Sequence, residues 1–158
     1  MLFKSTDNSE VEIRIAGFRR KNHVRGEWDD SDWLKVHIRV LAPFGSTSYA
    51  FRCLLNWEAE QLAEWLMQIA KKQDVEREIF FSEGELRFKI VEISNVDLTI
   101  RFYTMRAIGK WTMSEEYKDT KDLFDDDFPY VDLNMSFNQL QYVAAQFQTE
   151  IAGLPLRK

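Results

Sequence analysis

Apolar and polar residues alternate along several segments of the chain. Residues 11–16 (VEIRIA) and 34–40 (LKVHIRV) place an apolar side chain at every second position, and residues 86–90 (LRFKI) and 98–102 (LTIRF) repeat the pattern. A period of two predicts a strand with one face on a core and the other in water. The last two segments are close enough to form a hairpin across a turn at Asn95. Shorter apolar runs predict further strands at 47–54, 79–81 and 131–135.

A different period, that of an amphipathic helix, follows the run at 47–54. The predicted helix covers residues 56–73, with Asn56 as its N-cap because the side-chain oxygen can accept from the first unpaired N–H groups. Glu58 lies in the first turn and Lys71 and Lys72 close the last, where the helix dipole favours these charges. The apolar stripe, at the spacing i, i+3, i+4, i+7, comprises Leu62, Trp65, Leu66 and Ile69.

A second amphipathic helix is predicted over residues 137–152. Ser136 and Gln139 form an S-x-x-Q capping box, in which each side chain pairs with the backbone N–H of the other residue. Apolar residues at helical spacing trace one face of the segment. Gly153 and Pro155 follow it and end the helix.

The order of these elements is strands, helix, strands, helix, which predicts an α+β fold. Helices that follow blocks of strands favour antiparallel sheets over a doubly wound parallel sheet. The chain has 158 residues, of which 45% are hydrophobic, with only six glycines and three prolines. We therefore expect a single domain, residues 1–158, built from curved antiparallel sheet and two amphipathic helices. No residue-level repeat is visible between the halves, so the sequence does not indicate a duplication.

The negative charge of the chain is concentrated in one stretch. The net charge is −5, yet residues 115–132 carry eight acids and two lysines, a net charge of −6. The acids are Glu115, Glu116, Asp119, Asp122, Asp125, Asp126, Asp127 and Asp132. Residues 107–129 show no clean period, which predicts a long loop of the kind that is often functional or mobile. Such a field favours basic partners and repels nucleic acid, although a solvated loop that aids solubility also explains it.

Motifs for catalysis, metal binding or cofactor binding are absent from the sequence. His23 and His37 have no serine or cysteine partner in a recognisable motif, and neither glycine-rich phosphate motif occurs. An EF-hand loop read from Asp125 would have Tyr130 where glycine is needed and Ser136 where glutamate is needed. We therefore expect no catalytic residue, no metal and no cofactor. A carboxylate pair assembled by the fold stays open, because that test is spatial.

Cys53 is the single cysteine, so the sequence excludes an intrachain disulfide and a structural zinc–thiolate site. We expect it to be a small buried residue near a strand end. The first 17 residues lack the apolar core of a signal peptide, and no run approaches the ~18 apolar residues of a membrane span. The expected location is the cytoplasm.

A basic cluster raises nucleic-acid binding as an alternative. Arg19, Arg20, Lys21 and Arg25 lie near Trp28, and phosphates bind clustered cations while bases stack on aromatic rings. Four acids follow at once in the same segment, and the whole protein is acidic. We therefore expect no nucleic-acid partner.

Four segments together resemble the WapI family of bacterial immunity proteins. They are DDSDWLKVHIRV (29–40), CLLNWEAEQLAEWLMQIA (53–70), FSEGELRFKI (81–90) and the terminal GLPLR (153–157), with the strongest similarity in CLLNWEAEQLAEWL. The resemblance covers nearly the whole chain. It implies a cytosolic protein that binds the toxic C-terminal domain of a polymorphic toxin, commonly a nuclease, and blocks it. It implies no particular contact residues.

Charge and aromatic character therefore decide which residues we expect to bind the partner. Acidic side chains steer a basic protein, and tryptophan is enriched among interface anchors. The predicted partner-binding residues are Asp29, Asp30, Asp32, Trp111, Glu115, Glu116, Asp122, Asp125, Asp126 and Asp127. We expect a protein partner and no membrane, with the oligomeric state open. Two other functions stay open: a small enzyme or ligand-binding domain with a pocket between sheet and helices, and a housekeeping protein-interaction module.

Overall fold

The computed structural model describes residues 1–18, 33–81, 86–104, 111–113, 124–125 and 128–156. In chain order, its elements are β1 (Leu2–Lys4), β2 (Glu10–Ala16), β3 (Trp33–Ala42), β4 (Gly45–Leu55), α1 (Asn56–Ala70), β5 (Glu78–Phe80), β6 (Arg87–Ile93), β7 (Asp97–Tyr103), β8 (Thr112–Met113), β9 (Phe124–Asp125), β10 (Phe128–Ser136) and α2 (Phe137–Ala152). Two helices and antiparallel strands in this order confirm the predicted α+β fold.

The described strands form two antiparallel sheets of five strands each. The first sheet has the order β1-β2-β3-β4-β8, and the second has the order β5-β6-β7-β10-β9. The four segments with a period of two are confirmed as β2, β3, β6 and β7, and the last two pair as the expected hairpin. Their apolar side chains are buried and the alternate side chains are more exposed, as the pattern predicts.

Two short strands lie within the stretch for which no period predicts an element. β8 pairs with the start of β4, and β9 pairs with the start of β10. The expectation of one long loop from 107 to 129 is therefore wrong at these two places, because a strand of two residues is too short to show a period. Gly45 permits the contact with β8, since a Cβ atom there would collide with the backbone of Thr112.

The first helix begins and ends differently from the prediction. Leu55 is its N-cap, and Asn56 lies buried in the first turn. The prediction of Asn56 as N-cap is wrong because the buried Glu58 carboxylate accepts the N–H of Leu55 at 2.9 Å instead. The helix ends at Ala70, so the two lysines follow the last turn and do not close it. Lys72 adopts a left-handed φ of 58°, which stops the helix.

The second helix confirms its predicted bounds and its cap. The N–H of Gln139 donates to Ser136 Oγ at 3.2 Å, and the N–H of Ser136 donates to Gln139 Oε1 at 2.9 Å. This residue pair therefore satisfies two of the N–H groups that have no intrahelical partner at the start of the helix. Gly153 follows the helix as its C-cap, as expected.

The two halves of the chain share one topology. Four antiparallel strands pass without a loop into a helix: β1 to β4 into α1, and β5, β6, β7 and β10 into α2. The backbone angles at the two junctions nearly coincide, with φ −75° and ψ 157° at Leu55 and φ −74° and ψ 157° at Ser136. At both junctions, the side chain three residues later accepts that residue's N–H at 2.9 Å. The structure thus contains a repeat that the residues themselves do not show.

Phe88 of β6 lies where the two sheets and the first helix meet. Its ring centroid is 6.0 Å from that of Phe3 in β1, 6.4 Å from that of Trp65 in α1 and 5.1 Å from that of Phe102 in β7. All four rings are buried in one continuous core. Because Phe3 belongs to the first sheet and Phe88 to the second, the sheets share that core. Cys53 is buried in the same core, as expected.

Polar contacts also join the N-terminal strands to the rest of the molecule. The N–H of Thr6 donates to the carbonyl oxygen of Asn134 in β10 at 3.1 Å. The carboxylate of Glu150 in α2 accepts a hydrogen bond from the amino group of Met1 at 3.0 Å and another from the N–H of Ile15 at 2.8 Å. The two helices in turn pack against each other. The first sheet is therefore linked to the second sheet and to α2.

The substitution Phe88→Ala is expected to lower the free energy of unfolding by about 3–5 kcal/mol, because it removes a fully buried ring at this junction. Phe80→Ala is the matched control, since Phe80 lies on the neighbouring strand and is 68% exposed. We expect the control to change the free energy by less than about 0.5 kcal/mol. Urea unfolding followed by tryptophan fluorescence measures both, and similar losses in the two variants would contradict the shared core.

Ser136→Ala is expected to destabilise the protein by about 1 kcal/mol, because the N–H of Gln139 loses its side-chain acceptor. Ser48→Ala is the control, since Ser48 is exposed on the outer face of β4 and does not cap a helix. Thermal unfolding by circular dichroism compares the two variants. An unchanged unfolding midpoint for Ser136→Ala would show that this cap does not stabilise α2.

Candidate protein-interaction surface

Most of the predicted partner-binding residues lie outside the described part of the chain. These are Asp29, Asp30, Asp32, Glu115, Glu116, Asp122, Asp126 and Asp127. Trp111 lies within it, and Asp125 is described through its backbone in β9. The binding role of all ten residues therefore stays a prediction.

Trp111 is partly buried and connects the two halves of the fold. Its ring lies 5.0 Å from that of Phe44, at the turn between β3 and β4. Its Nε1–H donates to Thr104 Oγ1 at 3.2 Å, and the hydroxyl of Thr104 donates to the carbonyl oxygen of Pro129 at 3.1 Å. These contacts fix the indole in place, with one part still accessible to solvent.

Asp125 places part of the acidic stretch at the edge of the second sheet. In β9, Asp125 is the register partner of Phe128 in β10, and Phe124 is the partner of Pro129. Asp125 therefore lies beside the start of β10, the longest strand of that sheet.

One acid of the acidic stretch forms an ion pair with another residue of the chain. Asp132 in β10 lies opposite Arg101 in β7, and the two form parallel hydrogen bonds, Nε to Oδ1 at 2.7 Å and Nη2 to Oδ2 at 2.9 Å. The guanidinium carbon of Arg101 also lies 3.7 Å from the ring centroid of Tyr130. A bidentate pair of this kind is directional and charge-assisted. Asp132 therefore does not add to the charge that could attract a partner.

A second stack of the same composition lies beside the first. Arg87 in β6 pairs with Glu78 in β5, and its guanidinium carbon lies 4.2 Å from the ring centroid of Tyr103. The rings of Tyr103 and Tyr130 are 6.5 Å apart. We call this set the Arg–Tyr surface; it comprises Glu78, Arg87, Arg101, Tyr103, Tyr130 and Asp132, on the face of the second sheet that points away from the core. Tyr103 itself is buried, and the other five side chains are each partly accessible.

Two exposed phenylalanines flank the Arg–Tyr surface. Phe80 is the register partner of Arg87 and is 68% exposed, and Phe128 precedes Tyr130 by two residues in β10 and is 42% exposed. Both therefore lie on the outer face of the sheet. Arginine and aromatic side chains are enriched in protein interfaces, and side chains held by stacking lose less conformational freedom when a partner binds. The arrangement is suited to protein recognition.

Sequence reasoning missed the Arg–Tyr surface. Arg87 and Arg101 do alternate with core residues in the predicted strands, which places them on the solvent-exposed face of the sheet. The stacks, however, are formed between neighbouring strands, and they depend on the registers of β6 with β7 and of β7 with β10. Alternation within one strand does not give the register between two strands.

Two adjoining open depressions lie between α2 and β1, with cavity volumes of about 770 Å³ and 550 Å³, and Leu2, Tyr142 and Gln146 line both. The polar groups of the larger one have structural partners: Glu150 holds the N-terminal strands, and Glu12 pairs with Arg14 and Arg39. In the described ranges, no group of three or more His, Cys, Asp or Glu could hold a metal ion. Neither helix of the described chain is long and apolar enough to cross a membrane.

Comparison with known proteins gives one match. The family model described as Immunity protein WapI-like family matches residues 1–155 of the chain. This finding confirms the resemblance seen in the sequence, and it includes both sheets and both helices. No curated protein and no solved structure gives a significant match.

Arg101→Lys is expected to lower the free energy of unfolding by about 1 kcal/mol, because lysine cannot form two parallel bonds to Asp132 or stack its head group on Tyr130. Arg39→Lys is the control, since the Arg39 side chain is 62% exposed and makes a single 3.1 Å contact with Glu12. We expect a change below about 0.3 kcal/mol for the control. Chemical denaturation measures the free energy of unfolding of both variants. Equal losses would contradict the structural role of the two hydrogen bonds from Arg101 to Asp132.

Proposed function

Because the chain belongs to the Immunity protein WapI-like family, we propose that it binds and neutralises the toxic domain of a polymorphic or contact-dependent bacterial toxin. The match over residues 1–155 carries this proposal. We propose that the protein acts in the cytoplasm, where such a toxin would reach its target, and that it acts by binding. It would then block the toxic domain by covering it, and no reaction of its own side chains would be needed.

The charge distribution supports a basic partner, such as a nuclease domain. Residues 115–127, which exclude the internally paired Asp132, contain seven acids and two lysines and so carry a net charge of −5. A concentrated field of one sign raises the rate of association with a partner of opposite sign. We propose that this stretch, with Asp29, Asp30 and Asp32 in the earlier loop, steers the toxic domain towards the protein.

The Arg–Tyr surface supplies contacts that charge alone does not. β9 and β10 connect the acidic stretch directly to Phe128 and Tyr130. A partner attracted by the acids would thus arrive beside an outer face with stacked arginines and two exposed phenylalanines. Arginine and aromatic anchors contribute most of the binding energy in many interfaces, while outlying charges mainly affect the association rate. We propose that Trp111 contributes to the same interface through its accessible part.

The substitution of Asp125, Asp126 and Asp127 by Asn is expected to reduce the association rate with the cognate toxic domain, which we expect a neighbouring gene to encode, by about tenfold at low salt. The salt dependence of that rate should fall at the same time, because three of the steering charges are lost. Stopped-flow or surface plasmon resonance measures the rate. In cells, the variant should protect less well against the co-expressed toxic domain.

The matched control is Glu64→Gln, Asp74→Asn and Glu76→Gln, which removes the same charge from exposed positions after and within α1. We expect this control to keep a nearly unchanged rate. If the Asn triple variant shows the salt dependence of the wild type, the steering role is refuted while binding itself can still stand. If the wild-type protein does not bind the toxic domain, the proposed function is refuted.

A further inference from the structure

The outer face of the first sheet carries two cations opposite one another. In the register of β3 with β4, Lys35 lies opposite Arg52. Both side chains are exposed. Side chains directly opposite in an antiparallel pair have Cβ atoms about 4.5–5.5 Å apart, and like charges there destabilise the sheet. The placement is therefore unfavourable for the protein on its own.

Only part of this charge is neutralised within the sheet. Arg14 donates to Glu12 Oε1 at 2.6 Å, and Arg39 Nε forms an ion pair with Glu12 Oε2 at 3.1 Å. The hydrogen bond from Arg14 holds the pKa of the Glu12 carboxyl below its ordinary value. Among the described residues, Lys35 and Arg52 form no ion pair. Within the described part of the chain, the positive charge at the Lys35 end of the sheet is thus not neutralised.

The basic face is defined by Arg14, Lys35, Arg39 and Arg52. Glu12 is the acid that pairs within it, because Glu10 of β2 pairs instead with Lys4 of β1 at 3.3 Å. The basic face is therefore a positive surface on a chain whose net charge is −5. Small side chains, Ala16 and Ala50, lie among these cations and leave the surface open to a flat partner.

We infer that the basic face binds a carboxylate-rich protein surface on the toxic domain, an inference that rests on the proposed function and adds the chemistry of a second contact region. Charge complementarity selects an anionic partner, which would also relieve the repulsion between Lys35 and Arg52. A protein surface fits better than nucleic acid. Domains that bind nucleic acid commonly have an isoelectric point above about 9, whereas the value for this chain is about 5.1.

The test is the affinity of the toxic domain, measured by calorimetry, for the variant Lys35→Gln/Arg52→Gln. We expect its Kd to rise at least about tenfold, because two charges that face the partner are lost. The matched control is Lys71→Gln/Arg77→Gln, which removes one exposed lysine and one exposed arginine elsewhere, and its Kd should stay close to that of the wild type. The melting temperature of Lys35→Gln/Arg52→Gln should rise, so that weaker binding cannot be ascribed to unfolding.

The outcomes separate this inference from the proposed function. If the wild type binds the toxic domain and Lys35→Gln/Arg52→Gln binds equally well, the inference is overturned and the proposed function stands. If the wild type does not bind it, both are overturned. A duplex DNA that binds the wild type but not Lys35→Gln/Arg52→Gln, in fluorescence anisotropy at low salt, would identify nucleic acid as the occupant and also overturn the inference. The variant Lys35→Glu/Arg52→Glu should not bind the toxic domain. If binding returns when surface carboxylates of the toxic domain are replaced by lysine, the inference is supported.

Discussion

Phe88 joins three parts of the fold that would otherwise each expose an apolar face. Its ring contacts Phe3 of the first sheet, Trp65 of α1 and Phe102 of its own sheet. Because interiors are packed as densely as organic crystals, such a junction fixes the relative positions of the elements that meet there. The inner face of each sheet is therefore committed to the core. The outer faces remain to carry charge and aromatic side chains, and they hold both candidate surfaces.

The two outer faces use arginine in different ways. In the second sheet, Arg87 and Arg101 are each stacked on a tyrosine and paired with a carboxylate, which makes a rigid surface with exposed phenylalanine at its sides. In the first sheet, Lys35 and Arg52 lie opposite each other without an acid to separate them. A stacked, paired arginine is stabilising within the chain, whereas opposed cations are stabilised by an external anion. The chain would thus present a partner with two chemically distinct regions.

The repeated topology explains how both surfaces arise in one chain. Each half forms four antiparallel strands that pass directly into a helix, and a side-chain acceptor three residues into the helix fixes the junction. The acceptor is Glu58 in the first half and Gln139 in the second. Only the second junction has the serine that identifies a capping box in the sequence, so the sequence pattern at the first junction predicts a cap at Asn56 where the structure has Leu55. Equivalent geometry reached with different residues leaves no repeat in the sequence itself.

The sequence by itself determined both helices and the strands with a clear apolar pattern, which of their side chains enter the core, and where the second helix begins and ends. The short strands β1, β8 and β9 have no such pattern. Each element buries one face, and the period of its apolar residues shows which side chains lie on that face. These features can therefore be predicted from the pattern within a single segment. The tertiary structure alone decided which side chains meet across strands, as for Arg101 with Asp132 and Lys35 with Arg52. It also decided that two-residue strands attach to β4 and β10. Register and pairing depend on contacts between distant segments, and no local pattern encodes those contacts.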